Sequence, residues 1–329
     1  MKINLLTNTD SAGLYQDVCI LKNLLESMLL TPPTAVEVRV INNFSPSLDT
    51  FGQGADLSIF LESLNNGQHY LQYARANWLV VNPEWYYPDQ FDRYLPLISL
   101  IVCKTHHAHF IWSMRIGENR CLYTGFESRD MLVDGLHKTD GFIHVAGKSE
   151  AKGTDVIAEA WQRLPYPLTI VTRAQNQAES QATYRMAELF RSNPVVRHLH
   201  NLSDEQLARE LSLHRFAIQP SLYEGYGHSI HEALSARCIV LTTDAPPMNG
   251  FTCGDRRTLI PVVRRVPRMM VEFNYCSADG VRKAVETSVK MSPYDQKARS
   301  EWSRDEWERE RNFFRKTFTD AINRWGEWI

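Results

Sequence analysis

The chain has 329 residues, enough for two domains of ordinary size. With 43% hydrophobic and 22% charged residues it is a globular chain, and an intrinsically disordered one is excluded. A formal net charge of −2 supplies no overall basic field, which excludes nucleic acid as the expected partner; Arg264, Arg265 and Arg268 read as a solvated loop.

The chain opens with "MKINLLTN", without a leader-type apolar segment and small-residue cleavage site. Residues 3–7 read as a strand and 16–30 as a helix, from apolar residues at helical spacing. Strands follow at 36–42, 57–61, 78–81, 100–103 and 121–124, with helical stretches at 68–76 and 105–114. The longest apolar run, residues 95–103, is far short of the ~20 that span a membrane. A cytoplasmic protein is expected, with peripheral contact at the inner face of a membrane left open. The oligomeric state is not legible.

A second series starts near residue 140. Residues 142–146 read as strand, 155–163 as helix, 168–171 as strand, 183–192 as helix and 195–199 as strand. A helix capped by Ser203 precedes strand 216–219, helix 229–236 and strand 239–242. Alternation of this kind is the pattern of βαβ units on a parallel sheet. The expectation is an α/β fold of two Rossmann-like domains, residues 1–138 and 139–300, with an interdomain cleft where ligands meet the carboxyl ends of the strands. Residues 301–329 read as a charged helix that carries Trp302, Trp307, Trp325 and Trp328.

Cys19, Cys103, Cys121, Cys238, Cys253 and Cys276 form no C-x-x-C pair and read as free thiols in a reducing compartment. His106, His107 and His109 lack the i, i+4 spacing of a helical metal site, so no metal is expected.

The most informative stretch is "FAIQPSLYEGYGHSIHEALSARCIVLTT". A strand ends near Pro220 and Ser221. Glu224, Gly225, Tyr226 and Gly227 make a glycine-containing turn, and a helix starts near Ser229. Small residues let backbone approach a phosphate, and the helix N-terminus favours the anion. Glu224 and Glu232 are placed to take a sugar hydroxyl and a ribose hydroxyl on either side of it. A local alternative exists for Glu232: Ser229-Ile230-His231-Glu232 matches a capping box, in which the carboxylate would bond the cap backbone. In "FIHVAGKSEAKGTDVIAEAW", Lys148 and Lys152 flank a loop before a helix, beside Gly147 and Gly153, and two cations so placed suit a diphosphate.

These residues resemble the donor-site motif of retaining GT-B glycosyltransferases, family 4 in particular: a glutamate, seven residues and a second glutamate, in the pattern P-S-x-x-E-G-F-G-x-x-x-x-E-A. Pro220, Ser221, Glu224, Gly225, Gly227, Glu232 and Ala233 stand in register, with Tyr226 for the phenylalanine. The lysine segment and "VRHLHNLSDEQLARELSLHRFAIQPS" resemble the same family, so the likeness covers roughly residues 140–245. Lys148 stands where the family more often has arginine, which keeps the charge but loses bidentate geometry.

The resemblance implies the GT-B fold and hexosyl transfer from a nucleotide-diphosphate sugar with retention, without a metal or cofactor. Glu224, Lys152 and Lys148 would act on sugar and diphosphate. Gly147, Gly225, Tyr226, Gly227, His228, Ser229, Glu232 and Arg173 would complete the donor side. It further implies that the last helix crosses back to the first domain. The N-terminal half departs from the family. Asp10, Ser11, Gly13, Asn82, Glu84, Lys104 and His106 are the candidates there, for a glycan, lipid-linked or other hydroxyl acceptor. Rival readings are a nucleotide-sugar epimerase, a phosphorylase, and a non-catalytic nucleotide-sugar or glycan-binding module.

Overall fold

A computed structural model describes residues 1–7, 12–28, 35–42, 52–64, 67–147, 149–173, 188–190 and 193–328. The chain divides into two compact units. Unit 1 comprises Met1–Glu127, Arg268–Val271 and Glu310–Ile329; unit 2 comprises Ser128–Pro267 and Glu272–Arg309.

Unit 1 contains β1 (Lys2–Thr7), α1 (Ala12–Ser27), β2 (Glu37–Asn42), β3 (Ala55–Glu62), β4 (Ala74–Val81), the short α2 (Pro88–Phe91), β5 (Leu100–Cys103), α3 (His106–Ile116) and β6 (Cys121–Tyr123). The strands form one sheet in the order β2-β1-β3-β4-β5-β6, with parallel pairing throughout. The central strands are buried along almost their whole length, which accounts for their unbroken apolar runs. Thr105 caps α3, its side chain accepting from the Ala108 amide.

One expectation fails here. Residues 68–76 do not form a helix: a short 3-10 turn at Gln68–Gln72 leads into β4, which begins at Ala74. The run "ARANWLVV" is a strand because pairing with β3 from Ala74 onward, and with β5 from Trp78, completes its backbone bonds, which outweighs the helix preference of its alanines.

Unit 2 contains β7 (Thr139–Gly147), α4 (Thr154–Trp161), β8 (Leu168–Thr172), β9 (Val196–His200), α5 (Asp204–Leu213), β10 (His214–Gln219), α6 (His228–Ser235), β11 (Ile239–Thr243), β12 (Leu259–Ile260), β13 (Val262–Arg268), β14 (Val271–Cys276) and α7 (Ala278–Val289). Its parallel sheet runs β12-β11-β10-β7-β8-β9, and β13 and β14 pair separately. Ser203 and Gln206 form a reciprocal capping box at the start of α5. The helix read at 183–192 falls mostly outside the described residues. The core packs Phe142, Trp161, Leu168, Phe216 and Val285 on one face of the sheet. On the other lie Ile143, Leu211, Ala217, Ile230, Leu234 and Trp307.

The long helix α8 (Pro293–Asn323) contributes to both units, changing over after Arg309. Phe314 and Phe318 are fully buried in unit 1, where Phe318 meets Trp78 edge-on with ring centres 6.5 Å apart. Among the described residues, no helix is long and apolar enough to cross a membrane.

Candidate functional site

In unit 2 the chain runs outward from β7 through β8 to β9, then returns to β10 on the other side of β7. Strand order therefore reverses between β7 and β10. Ligands of open α/β sheets bind in the crevice at the carboxyl ends of such a pair. The loops that leave β7 and β10 are residues 147–153 and 220–227, the two segments singled out in the sequence.

These loops are fastened to each other. The Leu222 amide donates to the Ala151 carbonyl at 2.9 Å. Gly153 lies against Pro220 so closely that a Cβ there would stand 2.4 Å from the Pro220 carbonyl oxygen, and its φ of +70° is one that a side chain disfavours. Gly153 is also the residue from which α4 begins. His144 braces the junction from below. It is fully buried in β7, with Nδ1 2.8 Å from the Ile218 carbonyl and Nε2 2.9 Å from the Thr154 hydroxyl. Burial pushes its pKa down to about 4, with the nearby Lys152 charge acting in the same direction.

Lys152 and Glu224 meet across the two loops. The lysine Nζ stands 2.6 and 2.8 Å from the two carboxylate oxygens, and the Ser221 hydroxyl donates to Oε1 at 2.6 Å. Glu224 is 7% exposed, so this pair is shielded from bulk water and is stronger than a surface ion pair. Gly225, Tyr226 and Gly227 complete the turn. Gly227, at φ +84°, is the N-cap of α6, and no side chain caps that helix. The first turn of α6 therefore presents its amides and dipole toward the strand ends. The Ser229 hydroxyl is buried there without a hydrogen-bond partner among the described residues. Tyr226 is buried and stacks on His231, ring centres 4.1 Å apart, so its ring serves the packing of the turn. His228, the first residue of α6, meets the edge of the same ring at 5.1 Å.

The local alternative for Glu232 does not hold. The residue lies in the second turn of α6, because the helix starts at His228. It makes no capping box, since the cap position is a left-handed glycine with no hydroxyl to reciprocate. Its carboxylate is instead gripped by Arg129, whose Nε and Nη2 stand 2.8 Å from Oε1. Arg129 also pairs with Asp204. Burial works against the Arg129 charge, but the two facing carboxylates outweigh it and hold the guanidinium pKa above its ordinary value. Nothing in "FESRDMLVDG" marks Arg129 as special, because its role depends on a contact 103 positions away.

Gly147 ends β7 at φ +59° with open space around it, and its carbonyl accepts from the amide of Arg173, an exposed residue just beyond β8. Lys148, Asp10 and Ser11 lie outside the described residues.

On unit 1, Gly13 is in the first turn of α1 rather than in a loop. Asn82 follows β4, and its side-chain amide donates to Glu62 Oε1 at 3.3 Å. Glu84 is 8% exposed in the short turn Pro83–Trp85. His106 opens α3 and stacks on Tyr123 at 3.8 Å. Lys104 is buried against Asp17 of α1. Burial alone lowers the pKa of His107.

Residues 133–257 match the family model for group 1 glycosyl transferases. No curated protein matches the chain by sequence. Among solved structures, the chain superposes on a glycosyltransferase from Rickettsia africae with a TM-score of 0.72 at 12% identity, covering 97% of both chains. It superposes on the Anabaena protein HepE in complex with UDP and glucose with a TM-score of 0.69 at 13% identity, covering 100% of both. A match to the GtfA/B complex has a TM-score of 0.59 at 15% identity and spans 81% of this chain but 57% of the other. At these identities the likeness is one of fold, and the fold is GT-B: two parallel-sheet, Rossmann-like units.

Proposed function

We propose that this chain is a glycosyltransferase that moves a sugar, with retention, from a nucleotide-diphosphate donor to an acceptor hydroxyl without a metal. The observation that carries the reading is the Lys152–Glu224 pair, held across two fastened loops at the strand-order reversal and below the open start of α6. The match of residues 133–257 to group 1 glycosyl transferases supports it. So does the likeness to HepE, whose structure holds UDP and glucose.

Glu224 is the counter-charge of Lys152. A diphosphate brings two or more negative charges and takes the lysine, with Lys148 and the amides of His228 and Ser229 as its other partners. Glu224, still bonded by Ser221, then accepts from hydroxyls of the donor sugar. Glu232, fixed by Arg129, bonds the ribose. Gly147, Gly225 and Gly227 let backbone approach the ligand, and Arg173 borders it. The bond between the anomeric carbon and the diphosphate oxygen breaks, with its electron pair leaving on the diphosphate. The acceptor oxygen bonds the same face of that carbon, and its proton passes to the departing phosphate oxygen. Lys152 and the helix start stabilise the charge that develops on the leaving group, the largest single term in reactions of this kind.

The test is a thermal-shift and turnover screen with uridine, guanosine, adenosine and cytidine diphosphate sugars, with and without EDTA. Binding of at least one donor, and transfer or hydrolysis that survives EDTA, is expected. Lys152→Ala should weaken donor binding about tenfold or more, the loss of one charge-assisted contact. No nucleotide binding by the native chain, or unchanged turnover in Glu224→Ala, refutes the reading.

A further inference from the structure

The Lys152–Glu224 pair is not what fastens the two donor-side loops. Backbone does that. The Leu222 amide bonds Ala151 on one side, and the Leu222 carbonyl accepts from the Asn274 amide of β14 at 2.9 Å on the other. At the root of the same loop the Thr243 hydroxyl donates to the Ser221 carbonyl at 2.7 Å, with both residues fully buried. The ion pair joins two side chains across a frame that stands without it, so its purpose lies elsewhere.

The place of Glu224 indicates that purpose. Its carboxylate takes two of the three N–H groups of Lys152, at 2.6 and 2.8 Å. Its stem passes under the start of α6: a Cβ added at the N-cap residue Gly227 would stand 3.5 Å from both Cβ and Cγ of Glu224. An ammonium group and an uncapped helix start are the two features of this site that draw an anion. Glu224 lies against both, so the protein carries an anion of its own where a diphosphate would bind.

Burial decides how that anion behaves. Glu224 is 7% exposed, so bulk water does little for its carboxylate once the lysine is taken from it. Among the described residues its one other partner is the Ser221 hydroxyl, at 2.6 Å, a single donor for a group with room for about four. A ligand that claims Lys152 therefore strands a shielded carboxylate unless it brings donors of its own. The hydroxyls of a donor sugar are such donors. A nucleoside diphosphate that has lost its sugar keeps only ribose hydroxyls, which the transfer reading assigns to Glu232.

We propose that Glu224 is a built-in competitor for the diphosphate site, which admits a nucleotide that carries its sugar and expels one that has lost it. This rests on the glycosyl-transfer reading, in which Lys152 takes the diphosphate and Glu224 the sugar. With the sugar in place, its hydroxyls hold the carboxylate and Lys152 is left to the diphosphate. Once the sugar has passed to the acceptor, the carboxylate loses those donors, returns to Lys152 and displaces the nucleoside diphosphate. The bonds from Asn274, Thr243 and Leu222 let the exchange run in side chains alone, on loops that stay in place.

Isothermal titration calorimetry with matched ligands tests this: UDP with UDP-glucose, GDP with GDP-mannose, and ADP with ADP-glucose. Glu224→Gln keeps the size of the side chain and an oxygen for Ser221 but removes the charge. Lys152, 20% exposed, then turns to water, and a melting curve checks that the fold is kept. The variant should bind the nucleoside diphosphate about tenfold or more tighter than the native chain does, the effect of one charge-assisted contact passing to the ligand. The sugar nucleotide should gain nothing. A residue that merely touches the ligand or supports the fold would weaken both. In a Lys152→Gln background the same change should tighten the nucleoside diphosphate by no more than about threefold, since only through-space repulsion is left to relieve. Unchanged or weaker nucleoside diphosphate binding in Glu224→Gln, an equal gain with and without the sugar, or the full gain in the Lys152→Gln background overturns the competitor and leaves the transfer reading standing. A native chain that binds no nucleotide refutes the transfer reading and the competitor with it.

Discussion

Replacing Gly153 by alanine tests how the two donor-side loops are fastened. Two penalties act at this position. The first is conformational: alanine at φ +70° costs about 1 kcal/mol relative to glycine. The second is steric. The new Cβ would stand 2.4 Å from the Pro220 carbonyl oxygen and 3.0 Å from its ring, and the nearest atom is backbone rather than a yielding side-chain tip. Forcing the loops apart by roughly half an ångström costs about 2 kcal/mol, within the range of overpacking substitutions. It also strains the Leu222–Ala151 bond and the Lys152–Glu224 pair. The sum is about 3 kcal/mol, a fall in Tm of about 6–12 °C for a unit of this size. Gly147→Ala is the matched control. It has φ +59° and no atom of the described residues within 4 Å of the added Cβ, so it meets the first penalty alone and should lose about 2–4 °C. Both are read by calorimetry or circular dichroism melts. Equal losses in the two variants would show that the Gly153–Pro220 approach is not what fastens the loops.

Other outcomes follow from the same geometry. Arg129→Ala leaves the 3%-exposed Glu232 carboxylate without its partner, and urea unfolding should show a loss of about 2 kcal/mol, below the cost for a fully buried pair because the Arg129 side chain is 30% exposed. Lys138 bonds the carbonyls of Leu211, Ser212 and His214 at 3.3, 3.3 and 2.8 Å where α5 ends, so Lys138→Met should cost about 1–2 kcal/mol in the same assay. His144 titrates near 4 when folded and near 6.5 when unfolded, so the unfolded chain binds the extra proton between these values. Its contribution is complete above pH 6.5 and is lost as pH falls toward 4, by up to about 3 kcal/mol. His144→Gln should flatten that part of the stability–pH curve. Glu62 has the opposite sign. With its folded pKa raised by burial to about 7, stability falls as pH rises from about 4.5 to 7, and Glu62→Gln should remove a decline on the order of 1–3 kcal/mol over that window.

The parallel architecture was legible because strands buried on both faces announce themselves as apolar runs, and Ser203 caps its helix through a purely local contact. Residues 74–77 misled because "ARAN" has no strand character of its own and joins β4 through its neighbours. Glu224, Lys152 and Gly153 were visible as a motif, but their pairing was not, since it depends on two loops about 70 positions apart closing on each other. For Glu232 the local alternative, a capping box, does not form, and its contact with Arg129 could not be read from the neighbouring residues. Glu62 escaped notice because a glutamate at the end of "ADLSIFLE" carries no pattern; its backbone conformation is what distinguishes it.

The helix α8 has a consequence for how the chain is made. The first 127 residues leave the ribosome lacking Phe314 and Phe318, which sit fully buried against Trp78 and Phe126 of unit 1. Unit 2 finds nearly all its own partners in one continuous stretch, from Ser128 to Arg309, broken only by Arg268–Val271. The unit that emerges first is therefore finished last, and its unfilled core must wait for more than 180 further residues to be synthesised. A chain that ends before Phe314, once released from the ribosome, should carry a protease-resistant unit 2 and a protease-sensitive unit 1.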